Sequence, residues 1–319
     1  MAVNAFIFPG QGSQAVGMGR DLAAAFSAAR EVFEEVDEVL KQKLSRLMFD
    51  GPAEELTLTE NTQPALMAMS IAVLRCLERE GNLNLRDRAV VVAGHSLGEY
   101  SALAAAGAFS VGEAARLLRI RGSAMQRAVA PGEGAMAALL GVELDVARAI
   151  CAEAEAGPEG REVVGVANDN GGGQVVISGA AGAVDRAIEI ARGKGVKRAM
   201  KLPVSAPFHC ALMAPAADAM KDALGKTPPR APSVPVIANV TAAKVTDPTE
   251  ISTRLVEQVT GTVRWRESVG TMLGLGVTRF VELGSGKVLS GLARRIAPDA
   301  EALSCSTPAE LEALLKHVG

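Results

Sequence analysis

The chain has 319 residues, of which 49% are hydrophobic and 22% charged, as is ordinary for a globular protein of one large domain or one domain with an insertion. Its net charge of −3 argues against nucleic acid or an anionic membrane as the main partner. Four cysteines without C-x-x-C spacing predict reduced thiols, and no apolar run approaches the roughly 18 residues that span a bilayer. We therefore expect a cytoplasmic protein without a membrane partner.

The first part of the chain alternates short apolar strands with long helical patterns. Strand–helix alternation is typical of a parallel sheet covered by helices. The strands and helices predicted here are residues 5–8, 23–43, 64–80, 89–93 and 112–121.

Beyond residue 130 the pattern changes to an order of β-α-β-β-α-β, which is ferredoxin-like. The strands and helices predicted in this order are residues 136–142, 146–155, 163–167, 174–178, 183–194 and 197–204. Strands predicted at 234–239 and 279–282 then return to the first pattern. We predict an α/β protein whose large domain, residues 1–130 and 205–319, carries an inserted ferredoxin-like small subdomain at 131–204.

Residues 94–98 read Gly-His-Ser-Leu-Gly, between a β-branched strand and an alanine-rich helix. This is the context of a nucleophile elbow, in which the glycines relieve crowding at a tight turn and the serine sits at its tip. Ser96 is the predicted nucleophile, and the backbone N–H of Leu97 is the predicted donor to the oxyanion. The elbow predicts an α/β-hydrolase-like parallel-sheet core.

A nucleophilic serine needs a base, and the chain offers three histidines. His317 lies two residues from the end, where fraying is expected, and His95 should project away from its neighbour Ser96. His209 remains as the base that takes the serine proton and returns it to the leaving group. Nucleophile before histidine is also the order of α/β-hydrolase sites.

Three glycine-rich segments do not predict a nucleotide site. Residues 10–15 follow a strand, but two helical segments stand where a dinucleotide fold needs its second strand. Residues 284–287 lack the first P-loop glycine and the Ser or Thr that holds magnesium. Residues 171–173 fit a hairpin loop between two strands.

Several motifs recur in one order from residue 6 to about 295, and together they resemble the malonyl-CoA:acyl-carrier-protein transacylases of fatty-acid synthesis. The match is specific because it covers essentially the whole chain. The motifs are FPGQGSQ at 8–14, QPA at 63–65, GHSLGE at 94–99, RG at 121–122, MQ at 125–126, ANDN at 167–170, QVVISG at 174–179, PFH at 207–209 and ELGSGKVL at 282–289.

The resemblance implies a ping-pong reaction. Ser96 would take the malonyl group from malonyl-CoA, release CoA, and pass the group to the phosphopantetheine thiol of acyl carrier protein. It places the second oxyanion donor at the backbone of Gln11, beside that of Leu97. It makes Arg121 the bidentate partner of the malonyl carboxylate, which a planar guanidinium matches and lysine would not. CoA and phosphopantetheine are then substrates, and we expect neither a metal nor another cofactor.

The resemblance also implies that backbone carbonyls, including one near Gln258, orient His209 in place of a triad acid. Residues 260–265 depart from the family pattern, because they lack the proline often found before the valine there. Phe208 would wall the acyl pocket against an α-methyl group. Gln63 and Met125 are further expected substrate contacts, whereas Asn168 fits a structural role equally well.

Three other functions stay open at this point. A serine hydrolase or thioesterase would share Ser96 and His209 but release the acid to water. A non-catalytic module could dock the carrier, and an acyltransferase of polyketide synthesis would differ only in its carrier. We expect a monomer, and an acidic carrier would need a basic patch, for which the candidates are Lys194, Lys197, Arg198 and Lys201.

Overall fold

A six-stranded sheet forms the centre of the protein, whose computed structural model describes residues 2–158, 160–204 and 206–318. The strands run in the order β10-β9-β2-β1-β11-β12, and every neighbouring pair is parallel except β10 with β9. The α/β fold with a parallel-sheet core is therefore confirmed. The strands of this large sheet are Asn4–Phe8 (β1), Ala89–Gly94 (β2), Val236–Ile237 (β9), Lys244–Val245 (β10), Arg279–Leu283 (β11) and Glu301–Cys305 (β12).

Helices cover both faces of the large sheet. Among them α5 is buried on almost every face and packs against α2 and α8. These helices are Arg20–Ala25 (α1), Ser27–Leu40 (α2), Leu44–Asp50 (α3), Ala53–Thr57 (α4), Thr59–Gly81 (α5), Leu85–Arg88 (α6), Gly98–Ala105 (α7), Val111–Arg127 (α8), Ala214–Lys226 (α11), Pro248–Thr260 (α12), Trp265–Gly274 (α13), Val288–Ile296 (α14) and Pro308–Val318 (α15).

A second, four-stranded antiparallel sheet has the order β6-β7-β3-β8 and carries two helices. This order confirms the ferredoxin-like prediction. Its elements are Gly134–Leu140 (β3), Leu144–Ala154 (α9), Val164–Asp169 (β6), Gln174–Ala180 (β7), Ala181–Gly193 (α10) and Arg198–Lys201 (β8). Residue 205, where the predicted large domain resumes, lies outside the described residues.

The structure departs from the prediction at the following points. The helix expected at 23–43 is two helices, because Phe26 adopts an extended conformation at φ −128° between them. The strand expected at 197–204 ends at Lys201, since Pro203 cannot donate a ladder hydrogen bond. A small hairpin of Ala156–Gly157 (β4) and Gly160–Arg161 (β5) was not predicted, because two-residue strands carry no periodic pattern.

The core is built mainly of aliphatic side chains, as the scarcity of aromatic residues requires. Strand β1 is buried throughout, and β2 is buried from Val91 to Gly94, so both read as continuous apolar runs. All four cysteine side chains are buried and free, as reduced thiols would be. The largest fully buried side chains include Trp265, Arg121 and Tyr100, and the buried arginine is one of the charged side chains within the core.

Backbone hydrogen bonds join the small sheet to the segment of the large domain that follows α12. Val263, just after α12, donates to the carbonyl of Ala167 (2.8 Å) and accepts from the N–H of Asp169 (3.0 Å) in edge strand β6. Thr262 Oγ1 donates to the carbonyl of Val166 at 2.6 Å, and Arg266 Nε donates to Asp169 Oδ2 at 2.8 Å. The small sheet thus continues into the segment that follows α12.

The close crossing of α5 and α8 can be tested at Gly122. A Cβ there would lie 2.6 Å from the carbonyl oxygen of Thr59 and 2.7 Å from the Cα of Glu60, so Gly122→Ala should lower the free energy of unfolding by about 1–3 kcal/mol. The matched control is Gly270→Ala in α13, where nothing lies within 4 Å and a gain of about 0.5–1 kcal/mol is expected. Urea unfolding measures the stability of both variants relative to wild type. A Gly122→Ala variant that is as stable as wild type would contradict the tight crossing.

Candidate active site

Ser96 lies at a tight turn between β2 and α7 with φ 53°, a left-handed conformation that costs a non-glycine residue about 1–3 kcal/mol. The turn leaves no room for side chains at its flanks. A Cβ at Gly94 would lie 1.9 Å from the carbonyl oxygen of Gly98, and one at Gly98 would lie 2.2 Å from that of Phe8. The glycines are therefore required for close backbone approach, and the strand–turn–helix predicted for the elbow is present.

His209 meets the serine from the other side. Its Nε2 lies 2.8 Å from Ser96 Oγ, while its Nδ1 lies 2.8 Å from the carbonyl oxygen of Gln258 and 3.2 Å from that of Gly261. Because two carbonyl oxygens can only accept, Nδ1 carries the proton and Nε2 is free to accept from the serine hydroxyl. Burial, reinforced by the positive charge of Arg121, lowers the pKa of His209 to about 3.

No carboxylate orients this imidazole within the described residues. The C-terminal end of α12 supplies the two carbonyl oxygens instead, from Gln258 in its last turn and from Gly261 directly after it.

Arg121 projects from α8 into the same site and is 1% exposed. Its Nη2 donates to Ser96 Oγ at 3.1 Å and to Gln258 Oε1 at 2.9 Å, and its Nη1 donates to Gln63 Oε1 at 2.9 Å. The guanidinium carbon lies 5.8 Å from the centre of the Tyr100 ring, within range of a cation–π contact. Within the described part of the chain no carboxylate forms an ion pair with Arg121, so its charge is met by neutral groups.

Sequence reasoning missed Glu99, although it lies within the quoted GHSLGE motif. It is 2% exposed, and its Oε2 accepts from the N–H of Asn239 at 3.0 Å and from Gln258 Nε2 at 2.7 Å. Burial raises its pKa to about 7, against the opposing effect of those hydrogen bonds and of Arg121. Because Gln258 Nε2 faces this acceptor, Gln258 Oε1 is the atom left to face Arg121.

Asn239 was missed as well. Its Oδ1 accepts from the N–H of Ser96 at 2.8 Å, and its Nδ2 donates to the carbonyl of Gly94 at 2.7 Å. The available signal was its position just beyond β9, because the carboxyl ends of parallel strands meet at one edge of a sheet. Asn239 holds both ends of the strained turn at Ser96.

The loop that follows β1 packs against the elbow. A Cβ at Gly10 would lie 2.6 Å from the carbonyl oxygen of His95, so the Gln11 backbone is next to the turn, and Gln11 Nε2 donates to Thr59 Oγ1 at 3.4 Å. Leu97 is buried at the start of α7. Across residues 2–158, 160–204 and 206–318, neither the Gln11 nor the Leu97 backbone N–H has a hydrogen-bond acceptor.

Three of the expected substrate contacts lie around the arginine or the base. Gln63 Nε2 is 3.7 Å from Met125 Sδ, which is buried in α8 next to Arg121. Phe208 is 7% exposed and directly precedes His209.

Asn168 is not brought to this group by any hydrogen bond among the described residues. It is buried in β6, and its neighbour Asn170 instead accepts from His95 Nε2 at 2.9 Å. His95 therefore points toward the small sheet and away from the serine hydroxyl, as its place in the elbow predicts.

No helix in the described part of the chain is long and apolar enough to cross a membrane. Among the same residues, no cluster of three or more His, Cys, Asp or Glu side chains is arranged to hold a metal ion.

The site combines a nucleophile on a strand–turn–helix, a histidine base and a buried arginine, and it is that of a serine acyltransferase. The model of the acyl transferase domain family matches residues 5–294. The chain is 46% identical to the malonyl CoA-acyl carrier protein transacylase of Bacillus subtilis, over 98% of this chain and 96% of that protein. The acyl-carrier-protein-S-malonyltransferase of Bartonella henselae, known from a crystal structure, is 57% identical in sequence to this chain. The two structures match with a TM-score of 0.95 over 99% of each chain.

A malonyl-transacylase solved in complex with its type II PKS acyl-carrier protein is also similar, at 40% identity and a TM-score of 0.94, with 99% of this chain and 100% of that chain covered. The identities and coverage leave no doubt about the family. The chain belongs to the malonyl CoA-acyl carrier protein transacylases.

The raised pKa of Glu99 makes a prediction about stability. The folded carboxyl keeps its proton where the unfolded chain has lost it, so its stabilising effect is complete below pH 4.5 and is lost as the pH rises through about 7. Glu99→Gln does not titrate, and its free energy of unfolding relative to wild type should therefore rise by up to about 3 kcal/mol over that interval.

Urea unfolding at several pH values measures this difference. The control is Glu113→Gln, because Arg230 lowers the pKa of Glu113 to about 2 and its effect on stability should be constant above pH 4.5. A difference for Glu99→Gln that does not vary with pH would show that folding does not raise the pKa of Glu99.

Proposed function

We propose that this chain moves a malonyl group from malonyl-CoA to the phosphopantetheine thiol of acyl carrier protein, through a malonyl-Ser96 intermediate. The observation that carries the proposal is the shared serine oxygen: Ser96 Oγ lies 2.8 Å from His209 Nε2 and 3.1 Å from Arg121 Nη2. A nucleophile and its base are thereby joined to a buried cation that suits an acyl group ending in a carboxylate.

In the first half-reaction Ser96 Oγ attacks the thioester carbonyl carbon while its proton passes to His209 Nε2. The carbonyls of Gln258 and Gly261 stabilise the imidazolium that forms, in place of an acid. The N–H groups of Leu97 and Gln11 would hold the oxyanion. Losing one such donor typically removes about 3 kcal/mol of transition-state stabilisation. The carbon–sulfur bond then breaks, and His209 returns the proton to the CoA thiolate.

In the second half-reaction the carrier's phosphopantetheine thiol gives its proton to His209 and attacks the malonyl-serine ester. The ester bond to Ser96 breaks, and the serine oxygen recovers the proton. The reaction consumes no redox equivalent and needs no metal, so we assign the chain no cofactor; CoA and phosphopantetheine are its substrates.

Arg121 would bind the malonyl carboxylate, with Gln63 and Gln258 holding the guanidinium in place. Met125 and Phe208 would line the acyl pocket. For Asn168 we propose a supporting place in β6 and not a direct contact, because Asn170 makes the hydrogen bond to the elbow.

The remaining parts of the proposal concern the whole molecule. We assign the large sheet to a domain of residues 1–130 and 205–319 and the small sheet to a subdomain of 131–204, in a cytoplasmic monomer. Two of the basic residues considered for carrier docking are already paired, Lys194 with Glu153 and Lys201 with Asp185. We propose that the acceptor is the acyl carrier protein of fatty-acid synthesis. The alternative acceptor is a carrier of polyketide synthesis, as in the similar complex described above.

The reaction is tested by intact-protein mass after mixing with malonyl-CoA. Wild type should gain one malonyl group and lose it when acyl carrier protein is added, whereas Ser96→Ala should gain none. A gain that decays in buffer alone would instead indicate a hydrolase, and no gain in wild type would contradict the proposed substrate. Carriers of fatty-acid and polyketide synthesis, compared side by side, decide between the two pathways.

Arg121→Ala tests the basis of acyl selection. Removing the guanidinium should lower malonyl transfer by about 100-fold, because the substrate carboxylate loses a charge-assisted, bidentate partner in a buried site. Acetyl transfer should be kept or improved. Steady-state kcat/KM for malonyl-CoA and acetyl-CoA measures both, and an equal loss for the two substrates would show that Arg121 serves the fold or the nucleophile and not the carboxylate.

A further inference from the structure

One oxygen atom in the site is shared by the base and the cation. Ser96 Oγ lies 2.8 Å from His209 Nε2 and 3.1 Å from Arg121 Nη2, and the two side chains belong to residues that are 5% and 1% exposed. Charges in such a buried site interact far more strongly than they would in water. The guanidinium therefore opposes the second positive charge that His209 must acquire when it takes the serine proton.

The other groups that face His209 do not offset this repulsion. The C-terminal end of α12 presents two neutral carbonyls, those of Gln258 and Gly261, and His95 in the elbow is neutral because burial lowers its pKa. The carboxyl of Glu99 in α7 lies beyond the Gln258 amide, which bonds to Glu99 on one side and Arg121 on the other. Within the described residues no carboxylate contacts His209 or Arg121. Burial and the charge of Arg121 together lower the pKa of the base to about 3.

We propose that the carboxylate of the substrate activates the base: by pairing with the positive charge of Arg121 it lets His209 accept a proton. Malonyl is then selected in the chemical steps as well as in binding. The inference rests on the proposed function and adds a role for the substrate to it. A carboxylate bound to Arg121 also competes for Nη2, and so releases Ser96 Oγ from the hydrogen bond that it accepts in the free protein.

The proton accounting is the same in both half-reactions. Ser96 Oγ forms a bond to the acyl carbon as its proton moves to His209, the carbon–sulfur bond breaks, and the proton leaves with the CoA thiol. In the return step the carrier thiol gives its proton to His209 and the serine recovers it. During both transfers the malonyl carboxylate stays on Arg121, so the imidazolium forms beside a neutral ion pair.

An acyl group without a carboxylate leaves the positive charge of Arg121 unpaired, so His209 stays a weak base. Acetyl transfer should then be slow even at saturation, and removing the guanidinium should strengthen the base toward acetyl groups. The selection therefore has a kcat component, which a simple binding role for Arg121 would not give.

The test is a pH titration of the imidazole NMR signals in wild type loaded with malonyl or with acetyl on Ser96, each loading verified by intact mass. The chain has only three histidines, and His317→Gln, which alters an exposed residue of α15, identifies one signal. The pKa of His209 should be higher by about one unit or more in the malonyl form than in the acetyl form. In unloaded Arg121→Ala it should also rise above that of unloaded wild type.

Equal pKa values of His209 in the two acyl forms of wild type would overturn the inference and leave the proposed function intact, because both loadings would already have been observed. Failure of malonyl-CoA to load wild type would overturn both. The comparison within wild type does not depend on the folding of any variant.

Discussion

The burial of one unpaired positive charge constrains the rest of the site. An isolated buried guanidinium is costly, and the fold meets the two Nη atoms of Arg121 with amide oxygens of Gln63 and Gln258 and with the serine hydroxyl. Those amides come from α5 and α12, so three helices must meet at one point. The tight crossing at Gly122 and the capping box at the start of α8 place the arginine there.

Gln258 connects the parts of this network. Its side-chain oxygen faces Arg121, its side-chain nitrogen faces Glu99 and the carbonyl of Ser96, and its backbone carbonyl orients His209. The amide can satisfy these partners in one orientation only, because acceptors surround its nitrogen and a donor faces its oxygen. One residue thereby sets the geometry of the base, through its backbone, and of the cation, through its side chain.

Sequence reasoning located the parts that local pattern determines. The glycines of the elbow follow from backbone crowding, His209 follows from the lack of another histidine, and the order of the small sheet follows from its alternating elements. The place of Arg121 came from family likeness, since an arginine near the end of a helix is normally solvated.

The remainder depends on contacts between distant segments. Glu99 and Asn239 are 140 residues apart, and nothing in either local sequence shows that they share a hydrogen bond. The break at Phe26 was not predicted, because apolar spacing continues on both sides of a single extended residue. A periodic pattern reports which face is buried and does not report one-residue interruptions.

The continuation of the small sheet into residues 262–263 has a consequence for modularity. Strand β6 bonds to the backbone that immediately follows the carbonyl holding His209, and Asn170 beside it holds the residue before Ser96. The inserted unit is therefore part of the frame that aligns nucleophile and base. A chimaera that exchanged it for an unrelated domain would have to supply both an edge strand and an amide acceptor at the same two places.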